Sequence, residues 1–101
     1  MRPFAIVIHT GRRTGRNYRT PVWAFEDRAT VVIALTYGRQ VDWARNLMAA
    51  GGGRIELRGD AFELIHPRLA GDDAAGPFLP WAVRGALGLL GVHEYLMAER
   101  A

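Results

Sequence analysis

The chain has 101 residues, half of them apolar and 23% charged, which is the size of one domain with one core. It contains neither cysteine nor serine, so disulfide scaffolds, thiolate metal sites and Ser or Cys nucleophilic hydrolysis are excluded. Thirteen Arg and no Lys stand against ten acids for a net charge of +3, and Arg2, Arg12, Arg13, Arg16 and Arg19 concentrate +5 in the first twenty residues while the remainder nets −2.

Residues 4–10, Phe-Ala-Ile-Val-Ile-His-Thr, form an apolar, β-branched run that stops at Gly11 and predicts a buried strand. It is too short for the hydrophobic region of a secretory signal. Residues 10–17 carry two Gly and no periodic apolar face, so they read as a tight loop able to present backbone N–H groups outward. Residues 18–25 then alternate, with Tyr18, Thr20, Val22 and Ala24 on one face, and predict a second strand. Its Pro21 marks an edge, a bulge or a strand start. A polar turn at residues 26–28 leads into the apolar residues 29–36, a third strand pairing back as a hairpin.

Asp42 is placed to N-cap a helix with apolar positions Trp43, Leu47 and Ala50, stopped by Gly51-Gly52-Gly53. Residues 54–58 and 61–66 flank Gly59-Asp60 and predict a second hairpin that Pro67 ends. Asp72 and Asp73 fall in a loop, residues 77–90 read as a helix interrupted by Pro80, Gly85 and Gly88, and residues 92–99 read as a last strand or a helix end. The longest weakly charged stretch, residues 77–92, falls short of the ~20 residues a membrane span needs, and a cytoplasmic location is the expectation. The whole pattern fits a mainly β, α+β architecture: a small antiparallel barrel with helices outside, as a single domain over residues 1–101.

Chemistry concentrates in two places. Between the first two strands, Arg12, Arg13 and Arg19 can take phosphate or carboxylate bidentately and Thr14 adds a hydroxyl, with Gly15 closing the turn. This arrangement favours an oxyanion ligand over nucleic acid or a merely solvated tip, and it is not a P-loop, because no Lys follows and no helix begins there. The second place is Leu35-Thr36-Tyr37-Gly38 followed by the helix start with Trp43, Asn46 and Leu47, a strand end and helix N-terminus suited to a flat ring system. Trp43 and Leu47 at i, i+4 also read simply as core. His9, His66 and His93 lie on separate segments without a paired carboxylate or i, i+4 partner, so no metal site is expected and each His reads as structural. An enzyme built this way borrows its chemistry from a cofactor.

Two motif blocks, Thr10-Gly11-Arg12-Arg13-Thr14-Gly15 with Arg19-Thr20-Pro21, and Trp43-Ala44-Arg45-Asn46-Leu47 after Tyr37-Gly38, resemble the deazaflavin-dependent nitroreductases, also described as coenzyme F420-dependent quinone reductases. The resemblance spans residues 4 to about 65 and implies a split β-barrel of about six antiparallel strands. It implies that Arg12, Arg13, Thr14, Gly15 and Arg19 hold the phosphate and polyglutamate tail of coenzyme F420. Leu35, Thr36, Tyr37, Gly38, Trp43, Asn46 and Leu47 would then lie along the deazaflavin, and hydride would pass to an electron-poor acceptor such as a quinone or nitro compound.

Tyr18 stands where many members carry another basic residue, and the loop before Trp43 is shorter than in the nitroimidazole-reducing members. Those members place C-terminal tyrosines at the substrate, which makes Tyr95 the candidate catalytic residue here. Their N-terminal helix is expected to be missing, since strand one begins almost at Met1; that element would cover the barrel or touch a membrane. Alternatives are binding of FMN or another flavin, storage of the cofactor without turnover, or a basic β-barrel module binding RNA, which would need several exposed rings on one face and has only Tyr18 with Trp23 or Phe25. The expected partner is a small-molecule electron acceptor, without nucleic acid; residues 77–92 suggest peripheral membrane contact as an accessory feature.

Overall fold

Six strands close into an antiparallel barrel in the order β1-β2-β3-β6-β5-β4 in the computed structural model, which describes residues 4–101. Arg2 of the basic block lies outside the described residues. β1 (Phe4–Thr10) is the seam of the closure, pairing β2 (Asn17–Asp27) on one edge and β4 (Gly52–Leu57) on the other. β3 (Thr30–Ala34) pairs β2 and β6 (Glu94–Arg100), and β5 (Asp60–Gly71) joins β6 to β4.

Alternation along the strands sorts the apolar residues into two cores. Ala5, Val7, Val22, Ala24, Val31, Ile33, Ile55, Leu57, Phe62, Leu64, Leu96 and Ala98 point into the barrel. Phe25, Val32, Ala34, Tyr95 and Met97 point outward, where the C-terminal helices cover them. β3 and β6 are therefore buried on both faces, which is why their sequences are continuously apolar rather than alternating.

α1 (Asp42–Ala50) adds Trp43, Ala44 and Leu47 to the inner core. Its Asp42 is not an N-cap: Val41 occupies that position, without a side-chain cap, and Asp42 opens the first turn. Gly51, at φ 76°, ends the helix in the left-handed conformation and returns its N–H to the Leu47 carbonyl.

The β4–β5 hairpin turns on Arg58 and Gly59, both at positive φ, one residue earlier than the sequence spacing suggested. Pro67 does not end β5. A bulge between Ile65 and Arg68, with His66 at φ 55°, takes the proline out of the ladder, and the strand runs on to Gly71 against β6. The loop expected at Asp72-Asp73 is a short helix, α2 (Asp72–Ala75); a 3₁₀ turn (Gly76–Phe78) and α3 (Trp81–Leu89) follow, and residue Glu94 begins a strand. Ala75, Leu79 and Leu87 seat this segment on the outer core. Among the described residues, no helix is long and apolar enough to cross a membrane.

Candidate functional site

The loop after β1 folds on itself. Gly11 N–H donates to Arg16 O (2.7 Å), Gly15 N–H to Gly11 O (2.9 Å) and Arg16 N–H to Thr14 Oγ1 (3.2 Å), while Gly15 takes the left-handed region at φ 71°. Arg12 N–H donates to Asn46 Oδ1 (3.2 Å). Those four amides are spent inside the protein, so the loop's side chains carry most of its donors. Gly11 is required by space: a Cβ there would stand 2.5 Å from Thr14 Oγ1 and 2.8 Å from Tyr18 Cε2.

Arg12, Arg13, Thr14 and Arg19 line a cavity of about 450 Å³ with His9, Gly11, Tyr18, Thr20, Asp42 and Asn46. Two motif blocks thirty residues apart in sequence thus meet at one place, brought together because α1 packs beside the end of β1. The size suits a small-molecule site, and three guanidiniums with a hydroxyl form a donor set that fits a ligand carrying phosphate and carboxylates.

At the floor is a buried polar chain. Asn46 Oδ1 accepts from Arg12 NH1 (2.7 Å) as well as from the Arg12 amide, so its Nδ2 faces His9 and donates to Nδ1 at 2.9 Å. That fixes the neutral His9 tautomer with the proton on Nε2, which donates to Thr20 Oγ1 at 2.8 Å. His9 and Asn46 are each only 4% exposed. The Tyr18 ring stacks on His9, centroids 5.7 Å apart, and its hydroxyl meets Thr14 Oγ1 at 3.0 Å.

Burial lowers the His9 pKa from 6.5, against the opposing pull of Asp42. A folded state that binds this proton less readily than the unfolded chain gains stability as pH rises. The expected result is a melting temperature that falls as the pH drops below about 6.5, less steeply in His9→Asn, measured by thermal unfolding across pH.

Arg19 differs from its neighbours. It forms a two-pronged pair with Glu56 of β4 across β1 (2.7 and 3.0 Å), which raises its pKa and lowers that of Glu56. Both groups are exposed, and such pairs contribute little to stability. Its donors are shared with a resident carboxylate, so Arg19→Ala should weaken anion binding less than Arg13→Ala, as read by titration at low salt.

The second group of sequence candidates divides. Leu35, Trp43 and Leu47 belong to the inner core. Thr36 and Tyr37 are exposed in a turn closed by Gly38 N–H to Leu35 O (3.1 Å), with Gly38 at φ 87°. Tyr95 is packed in the outer core under α2 and α3, 2% exposed, with its hydroxyl donating to Val92 O. Burial and neighbouring Asp72 push its pKa up. His93 does have a carboxylate, Asp72 at 2.7 Å, a pairing across 21 positions that local spacing hides.

His9 is buried, and its partner lies 37 positions away, which local spacing also hides. The signal available was register: Ala5, Val7 and His9 share the inward face of β1, and a polar residue in that row needs buried partners.

A family model described as F420H(2)-dependent quinone reductase matches residues 1–84. The chain belongs to that family. It is an oxidoreductase, an F420-dependent reductase whose cofactor is coenzyme F420. Among solved structures, this reductase resembles one described as a domain-swapped dimer, at TM-score 0.74 and 14% identity over 97% of this chain and 81% of that one. It also resembles one described as an F420-H2 dependent reductase (FDR-A), at TM-score 0.64 and 15% identity over 97% and 95%. At such identities the likeness establishes the barrel fold. No curated protein matches the sequence.

Proposed function

We propose that the arginine cavity holds the phosphate and polyglutamate tail of coenzyme F420 and that the acceptor is a quinone or a comparable electron-poor compound. The observation that carries this reading is the convergence of Arg12, Arg13 and Arg19 on one cavity whose floor, Asn46 and His9, is buried and fully hydrogen-bonded. When bound, the reduced deazaflavin supplies a hydride from its C5. The protein binds and orients: Arg12 is held by Asn46 and by Asp42 (3.3 Å) before any ligand arrives, and preorganised donors lose little entropy on binding. Thr36, Tyr37 and Gly38 form the exposed turn against which the ring would lie, directly after Leu35 of the inner core.

Three observations weigh against an RNA-binding reading. Tyr18 is committed to His9, and Trp23 stacks edge-on with Phe4 at 6.4 Å on the other face of β2; Phe25 is buried. No row of rings on one face results. Peripheral membrane contact is a secondary proposal carried by α3 and its C-cap, where Trp81, Leu89 and Leu90 are all exposed.

Turnover is tested by following oxidation of reduced F420 by a soluble naphthoquinone. Quinone-dependent loss of the reduced cofactor, absent when the protein is left out, is the expected result; tight F420 binding without turnover would mean storage instead.

A further inference from the structure

We propose that His9 is a positioning residue for the anionic tail of the cofactor: its neutral Nδ1 sets the amide of Asn46, and that amide holds Arg12 facing the cavity. This rests on the placement of the tail proposed above. The chain of contacts is continuous. Thr20 Oγ1 takes the Nε2 proton of His9 at 2.8 Å, His9 Nδ1 accepts from Asn46 Nδ2 at 2.9 Å, and Asn46 Oδ1 accepts both from Arg12 NH1 at 2.7 Å and from the Arg12 amide at 3.2 Å. A primary amide has one acceptor end and one donor end, so its orientation toward Arg12 is correct only while His9 offers a lone pair.

Protonation of His9 removes that lone pair and sets an N–H against the N–H of Asn46. Turning the amide over relieves this contact but points Nδ2 at the guanidinium and the backbone amide of Arg12, donors against donors. Once the amide turns, Arg12 loses a charge-assisted hydrogen bond. The groups facing His9 agree with a neutral ring at rest. Tyr18 and Thr20 face it from β2, Asn46 and Asp42 from α1, and Arg12, Arg13 and Arg19 share its cavity. From β4, Gly53 packs on the Ile8 carbonyl, while Arg54 and Glu56 are paired with Glu63 and Arg19. Asp42 is the one carboxylate lining that cavity, and it is already bonded to Arg12. Burial outweighs it in setting the His9 proton affinity.

The prediction has a sign that a simple cation would reverse. If His9 acted as one more positive charge, the polyanionic tail would bind more tightly as the pH falls; acting through Asn46, it releases the tail. The experiment is an equilibrium titration with oxidised coenzyme F420 between pH 8 and 5.5 for the parent, His9→Asn, His9→Leu and both variants on an Arg12→Ala background. An Asn at position 9 can offer its Oδ1 near the place of the histidine Nδ1 but does not titrate, and the ligand's own protonation affects every protein alike.

Relative to His9→Asn, the parent should lose about tenfold in affinity as His9 protonates. His9→Leu should bind weakly at every pH, and on the Arg12→Ala background it should cost nothing further. Tighter parent binding at acid pH relative to His9→Asn, or an undiminished cost of His9→Leu without Arg12, would overturn the proposal. Should His9→Leu not fold, the pH comparison of the parent with His9→Asn decides alone. Unchanged affinity in Arg12→Ala is a different failure, refuting the tail's placement itself.

Discussion

Arg12→Ala should weaken binding of coenzyme F420 by roughly tenfold to a hundredfold, the equivalent of one lost hydrogen bond to a charged group, about 1.5–3 kcal/mol. Arg12 is the one arginine of the loop tied into the floor, with NH1 on Asn46 at 2.7 Å and NH2 on Asp42 at 3.3 Å. Its side chain is about one-fifth exposed, against more than half for Arg19. Removal takes away a ligand contact and also leaves the buried Asn46 oxygen with only the backbone amide of residue 12. Arg12→Lys should rescue little, because an ammonium cannot reach Asn46, Asp42 and the ligand together as a planar fork does. Titration at low and moderate salt checks this, since a charge contact at a solvent-facing cavity weakens as salt rises; parent-like affinity would remove Arg12 from the site.

Leu47→Ala should have the largest effect on the fold. Leu47 is fully buried where α1 enters the inner core, its Cδ2 so close to β4 that a Cβ on Gly53 would stand 2.6 Å from it. Truncating a buried leucine costs about 2–5 kcal/mol, which in a domain of this size lowers the melting temperature by more than about 10 °C. Leu47→Met keeps the volume and should cost less than about 1.5 kcal/mol. The pair separates two roles: as core, Leu47→Met keeps near-parent F420 affinity. A large affinity loss in a stable Leu47→Met protein would instead put Leu47 against the cofactor.

Much of this architecture was legible in the chain because local rules and tertiary packing agree there. β1 ends at Gly11, α1 runs from Asp42 to the glycine triplet, and the barrel follows from hairpins with short polar turns. Legibility failed where tertiary contacts override a local signal. Pro67 looked like a strand end, but a bulge absorbs it. The outer core made β6 ambiguous, since a strand buried on both faces has no alternation to read.

At the site, Arg12, Arg13, Thr14, Arg19 and Asn46 were all candidates, and they meet in one cavity. What the sequence could not show was the wiring. His9 and Asn46 belong to separate elements, and the orientation of one amide decides how they combine. Leu35, Trp43 and Leu47 illustrate the opposite problem, since apolar residues beside a site carry the same letters whether they touch a ligand or the core.

The central claim is that the arginines recognise the cofactor by its anionic tail. The measurement that tests it most directly compares the affinity of intact coenzyme F420 with that of the same deazaflavin lacking phosphate and glutamates, in the parent and in an Arg12→Ala, Arg13→Ala double variant. The account predicts that the parent prefers the intact cofactor strongly, with a preference that shrinks as salt is added, and that the double variant loses most of it. Equal affinity of the parent for the two compounds, or a preference untouched by removing both arginines, would contradict it.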